Sequence, residues 1–293
     1  MKKMKSFIYA ATATLVLSGL MFAVSCKKSS TTATEGTTSA SDQATAEKSY
    51  SDAQTISEDA VATGGSSMSF RTTHITSSGC ATVTTTASGG NTVVTINFGT
   101  SDCLCLDGRL RKGEIIVTYA TGSWNTVGAS RTITFNNYYQ NDNQIQGTKT
   151  VTYEGLNSSG QPYYDIVING SITYPSGKTV TVTWSRVRTW ISGFTLSGGT
   201  SGNPIWSSGI EFSVSGTGTM VNSLGETVDV TIQTANPLIF AYDCKWIEGG
   251  IISYVLTSDG KTRSINYGSA PYTCHDTATV TLANGTTVTI TLP

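Results

Sequence analysis

Two tryptophans and two arginines alternate along one stretch of this chain. In Lys178 to Ser192 a period of two runs Val180, Val182, Trp184 and continues through Arg186, Arg188 and Trp190. In an extended strand such residues share one face. Guanidinium groups stack on aromatic rings and pair with carboxylates. Trp184, Arg186, Arg188 and Trp190 therefore form a candidate binding strip for an acidic sugar or a partner strand. Two structural alternatives stand beside it: a bulge that turns Val187 and Ile191 inward, or arginine stems laid over a sheet edge. Tyr138, Tyr139, Tyr163, Tyr164 and Trp206 add aromatic area near the same strands or their loops.

Other chemistry-bearing residues are sparse. Asp102, Asp107 and Glu114 surround the run Asp107-Gly108-Arg109-Leu110-Arg111-Lys112-Gly113. Carboxylates with glycine suit calcium, but the spacing is not that of an EF-hand and the interleaved arginines neutralise the acids. Ser176-Gly177-Lys178-Thr179 and Asp259-Gly260-Lys261-Thr262 end like a P-loop. Ile172 and Val255 stand where that motif needs its first glycine, so both read as turns. The two histidines, His74 and His275, read as surface or turn residues. No Gly-x-Ser-x-Gly or His-Glu-x-x-His occurs. The expectation is a protein that is not an enzyme, with no catalytic residue, no metal and no cofactor.

The first 25 residues read as a signal peptide. Lys2, Lys3 and Lys5 precede an apolar run from Phe7 to Val24, and small residues precede Cys26. Ala-Val-Ser-Cys resembles a lipobox in the looser form of Bacteroidota, which implies acylation at Cys26. Acyl chains on one residue make a firm membrane anchor, at about 0.8 kcal/mol per buried methylene. Residue 27 is lysine, not the aspartate that retains enteric lipoproteins at the inner membrane, so by analogy the outer membrane is expected, on either face.

Export implies oxidising conditions, and five of the six cysteines remain after Cys26. A repeat suggests their pairing. Ile96-Asn97-Phe98-Gly99 precedes Cys105 as Ile265-Asn266-Tyr267-Gly268 precedes Cys274, with Asp107 and Asp276 beyond and Cys80 and Cys244 upstream. The expected bridges are Cys80–Cys105 and Cys244–Cys274, with Cys103 left over. Cys103 and Cys105 are interchangeable at this level, and a metal site at Cys103-Leu104-Cys105 is the further alternative.

These residues need elements to hold them. Ser29 to Lys48 is rich in Ser, Thr and Ala and lacks large apolar residues, so residues 26–65 are expected as the lipidated cysteine plus a flexible stalk. Within it, Ser49 to Ala62 is expected as a short helix, with Ala53, Ile56, Ala60 and Val61 on one side. From 66 to 293 apolar and polar residues alternate: Val228-Val230-Ile232, Val288-Ile290-Leu292, Ile210-Phe212-Val214. Five Gly-x-Thr triplets, at Gly90, Gly177, Gly225, Gly260 and Gly285, each open a new strand, as two-residue hairpins do with both central residues at positive φ. Gly170, Gly216 and Gly249 look like further turn signals. The fold class is therefore all-β: an antiparallel hairpin meander of roughly a dozen strands in one domain, forming an elongated sheet or a sandwich. A net charge of -1 with 13% charged residues excludes a nucleic-acid binder.

Ile96 to Ile115, with its Asn-Phe-Gly, Asp-Gly-Arg and Lys-Gly-Glu-Ile, resembles a group of Bacteroidota all-β lipoproteins of unknown function. Gly147 to Thr152 and Arg188-Thr189-Trp190-Ile191 fit the same pattern, and the resemblance covers most of residues 70–293. It implies an envelope location and an all-β domain, and no activity. The functional expectation is a membrane-tethered, non-catalytic module that binds a glycan, protein or lipid. A structural or assembly component of the envelope is the alternative, and a hydrolase the third.

Overall fold

The computed structural model describes residues 28–62, 80–196 and 204–293; Cys26, the expected acylation site, and His74 lie outside them. One helix, α1 (Lys28–Ala62), precedes the strands. These are β1 (Thr82–Ser88), β2 (Asn91–Asn97), β3 (Cys103–Leu104), β4 (Leu110–Ala120), β5 (Ser130–Gln140), β6 (Asn143–Leu156), β7 (Pro162–Thr173) and β8 (Thr179–Leu196). Then come β9 (Pro204–Val221), β10 (Thr227–Ile232), β11 (Leu238–Ala241), β12 (Ile251–Leu256), β13 (Thr262–Asn266), β14 (Thr277–Thr281) and β15 (Thr287–Thr291). All belong to one antiparallel sheet in which sequence neighbours pair, so the domain is a single meander and not a sandwich. Only β3, on β4, and β11, on β9, lie off the main path.

The alternation read from the sequence is the alternation of burial. In β8 the side chains at 180, 182, 184, 186, 188 and 190 are buried and those between them are exposed or half-buried. In β10 the valines and Ile232 are buried while Thr227, Asp229 and Thr231 face water. Each fully buried aliphatic or aromatic side chain contributes about 1.5–3 kcal/mol. Branched threonine holds the wet face extended.

Each of the five Gly-x-Thr triplets opens a strand, and each leading glycine has positive φ. At β1–β2 the expected two-residue form is found: Gly89 and Gly90, both at positive φ, lie between the paired Ser88 and Asn91. Other turns differ from it. At β7–β8 the Gly177 N–H donates to Tyr174 O and the Tyr174 N–H to Lys178 O, both at 2.9 Å. The same pair of bonds recurs at 222–226 and 282–286. Among the described residues Ser176 and Asn284 do not have positive φ, so only the glycine is left-handed. This is a type I turn closed by a glycine bulge. Gly170 and Gly216 do not turn the chain at all; they sit inside β7 and β9.

The largest departure is α1. The short helix expected over Ser49 to Ala62 is present, but the stretch before it, expected as a flexible stalk, is helical too: α1 runs for 35 residues, and no residue of it between 36 and 61 is exposed. It touches β2, β4 and β5 near one end of the sheet, β8 in the middle, and β13, β14 and β15 at the other end. The sheet therefore curls around it. Register shifts at Gly113 in β4, in β5 before Tyr138, in β6 near Gly155 and in β8 after Trp190 help the long strands bend.

Composition hid the part before Ser49 because it has no apolar stripe. Buried with Ala40, Ala44, Tyr50, Ala53 and Ile56 are Asp42, Glu47, Asp52 and Glu58. Pairs four residues apart brace it: Lys48–Asp52 at 3.0 Å, Gln43→Glu47 at 3.0 Å and Gln54→Glu58 at 2.9 Å. Each such pair gives only about 0.2–0.5 kcal/mol, so the sheet must hold the helix. Gly170 marks the closest approach. A Cβ there would lie 2.0 Å from the Tyr50 hydroxyl, which donates to Gln146 O at 2.8 Å.

Candidate functional site

The strip Trp184, Arg186, Arg188, Trp190 does lie on one continuous face, but it is not an open surface. All four side chains are buried beneath α1. Arg186 Nη2 lies 2.6 Å from Glu47 Oε1, and Arg188 Nη2 lies 3.3 Å from Glu58 Oε2. The stacking expected between arginine and tryptophan is present: Arg186 sits 4.6 Å from the Trp184 ring and Arg188 4.7 Å from the Trp190 ring. The partner of this strip is the chain's own helix. As an accessible site it is corrected to an interior seam.

The seam extends beyond β8. Arg131 on β5 pairs with Glu58 Oε1 at 2.7 Å and packs between Trp124 and Tyr164. Lys149 on β6 donates to Tyr50 O at 2.9 Å. Arg109 Nε lies 3.3 Å from Asp52 Oδ2. The inner wall of the sheet is thus cationic and the helix within it anionic. Burial alone would raise the Glu58 carboxyl, but Arg188 and Arg131 outweigh it and hold it below the usual range.

The acids considered for calcium point to separate partners. Asp107 accepts from Arg111, Asp102 pairs with Lys112 at 3.1 Å, and Glu114 accepts from Asn97 and Asn136. Cys244, Glu248 and Cys274 do converge, but both sulfurs are spent in a disulfide.

That bridge, Cys244–Cys274, is the one expected. The other is corrected: Cys80 bonds Cys103, and Cys105 is a buried free thiol. The reason is local. Strand β3 ends at Leu104, and Cys105 opens a turn in which Gly108 N–H donates to Cys105 O at 2.9 Å and Cys105 N–H to Arg109 O at 2.8 Å. The turn carries the Cys105 side chain inward, where burial pushes its thiol up and Arg111 pulls against that.

Beside this turn the sheet opens over α1. A cleft of about 240 Å³ lies between residues 105–109 and 241–245, with the helix as its floor. Arg109 Nη2 joins the two loops by donating to Lys245 O at 2.6 Å. Lys48 reaches from the helix to Asp52 at 3.0 Å and to Cys244 O at 3.2 Å. Burial drives its ammonium below the ordinary lysine value, with Asp52 opposing. Burial pushes Asp52 the opposite way, but Arg109, Lys48 and Arg111 prevail and keep it ionised. Phe212 and Tyr242 add rings to the wall, Asp243 and Lys245 stand on the loop, and Leu106 lines the cleft while 52% exposed.

No family model, no curated protein and no solved structure matches this chain. The site rests on its own side chains. Donors, acceptors and aromatic surface converge in one small concavity, the usual form of a site for a small polar molecule. Sequence reading did not find it, because its residues come from a helix, a turn and a loop far apart in the chain. The two copies of the Asn-aromatic-Gly repeat, which the sequence did reveal, make the same turn: Gly99 N–H donates to Asn97 Oδ1 at 2.7 Å and Gly268 N–H to Asn266 Oδ1 at 2.8 Å.

Proposed function

We propose that this chain is a lipid-tethered, non-catalytic binding module of the bacterial cell envelope, and that it holds a glycan unit in the cleft above Lys48. The cleft carries the reading. Sugar hydroxyls both donate and accept, and this lining offers Lys48, Arg109 and Lys245 as donors beside Asp52, Asp107 and Asp243 as acceptors. Tyr242 provides apolar surface for a ring. About 240 Å³ is near the lower bound for ligand pockets and suits one sugar residue better than a lipid. The space inside the sheet, where a lipid carrier keeps its cargo, is taken by α1.

The tether rests on the sequence before Cys26, where lysines, an apolar run and small residues follow in turn, and the outer membrane on the residues that come after it. Mass spectrometry of the protein from its native host should find acyl chains on Cys26; an unmodified thiol would remove the anchor. For the ligand, labelled residues 27–293 on an array of bacterial and host glycans should give selective binding. Lys245→Ala and Leu106→Ala, both outside the core, should weaken it at least tenfold with the melting temperature unchanged. Binding that ignores both substitutions, or no binding by a folded protein, would defeat the proposal.

A structural or assembly role is the second reading, and β1 favours it. Thr82–Ser88 has no charge and no proline, and all of it except Val83 is exposed. Such an edge is a template for another strand. Concentration-dependent sedimentation abolished by Thr84→Lys or Thr86→Lys would support this reading over glycan capture.

A further inference from the structure

The interior seam does not balance its charges. Between α1 and strands β5, β6 and β8 lie Arg131, Lys149, Arg186 and Arg188, and the carboxylates facing them are Glu47 and Glu58. Four cations thus meet two anions behind side chains that are at most 5% exposed. A buried charge without a compensating partner is strongly destabilising.

Arg188 is where the surplus concentrates. It is 1% exposed, and none of its three nitrogens has a hydrogen-bond partner. Its contact with Glu58 is a 3.3 Å ion pair without hydrogen-bond geometry. The flat guanidinium lies over Phe212 at 3.6 Å and against Trp190, so its faces are covered while its N–H edge is unsatisfied. Five donors in the plane of that fork want acceptors. A cavity of about 20 Å³ opens beside it; its charged and amide lining is Arg188, Lys149, Gln54 and the Arg186–Glu47 pair, and mostly apolar side chains close the rest. That is room for one water-sized occupant.

We propose that this cavity is a site for a single small monovalent inorganic anion of halide size, held by Arg188 and Lys149. A water would fill the space and accept from Arg188, but it would leave the surplus charge standing. An oxyanion such as sulfate or phosphate is too large. The anion would lock α1 to β6 and β8 as an integral part of the fold, independent of the cleft above Lys48.

Bromide tests it directly. In crystals of the mature domain grown with sodium bromide, anomalous scattering should place one bromine in the cavity, within hydrogen-bond distance of Arg188. In solution, replacing gluconate by chloride at constant ionic strength should raise the melting temperature of the wild type. In Lys149→Met the halide concentration needed for half of that effect should rise at least tenfold. An anomalous map with no bromine in the cavity, or water alone there, overturns the proposal, and so does a folded Lys149→Met whose halide response equals the wild type's. Should Lys149→Met not fold, the wild-type bromide map decides alone.

Discussion

Arg186 Nη2 and Glu47 Oε1 lie 2.6 Å apart across 139 residues of sequence, with both side chains out of water. The pair ties the middle of the helix to the middle of the sheet. Breaking it from one side should cost about 3–5 kcal/mol, because the other charge stays buried. Arg186→Met and Glu47→Gln should each show that loss in urea unfolding. The double variant Arg186→Met/Glu47→Leu should recover most of it. A double variant no better than the worse single one would mean that the seam is held by something else.

Acid and base should act on this core in opposite ways. The Asp52 and Glu58 carboxyls are held below their usual range by the cations around them. Their stabilisation is present above the unfolded values near pH ~4 and is lost as pH falls through the lower folded values. Burial and Arg188 push Lys149 down to about 7. Between that value and the unfolded lysine value of ~10.4 the unfolded chain binds more protons, so stability rises with pH. In chloride-free buffer the urea midpoint should climb from neutral pH to about 9.5, and Lys149→Met should flatten the climb. A midpoint that falls over this window would contradict the arrangement of charges.

The cysteines give a covalent check. Peptide mapping under non-reducing conditions should join Cys80 to Cys103 and Cys244 to Cys274. Cys105 should resist alkylation until denaturant is added. Cys103→Ser should cost about 3 kcal/mol by loss of the cross-link, whereas Cys105→Ser should leave both bridges intact.

Helix and sheet should also be separable by steric means. Gly170→Ala would put a methyl group against the Tyr50 hydroxyl and 2.6 Å from Gln146 O. The expected loss is about 1–3 kcal/mol. Tyr50→Phe should relieve part of it, since it removes the nearest atom. If Gly170→Ala is neutral, Tyr50 does not seat where β6 and β7 meet.

The sheet was legible because strands bury on a period of two and turns need special residues. Val228, Val230 and Ile232 announce β10, and Gly225 announces the turn before it. The helix was legible over Ser49 to Ala62, where Ala53, Ile56 and Ala60 fall on one side, and illegible before it, where its burial is largely electrostatic. Ser, Thr and Ala conceal a rod whose acids at 42, 47, 52 and 58 are its means of attachment. A sign did exist on the other side: Arg186 and Arg188 continue an inward face, and an inward arginine needs a carboxylate. Cys105 was misassigned because the repeat with Cys274 ignores the two-residue strand β3, after which the chain turns. The cleft was invisible because Lys48, Arg109 and Lys245 meet only once the sheet has curled.

The carbonyl of Gly36 accepts from the Tyr254 hydroxyl at 2.7 Å, and Leu282 packs beside the same glycine. The earliest described part of the chain is therefore completed by nearly the last. A helix this poor in intrinsic stability cannot persist while it waits for its wall. Closure demands contacts between residues more than two hundred positions apart, and such long-range topology folds slowly. During synthesis the polypeptide stays open, and it shuts only after its final hairpins have arrived.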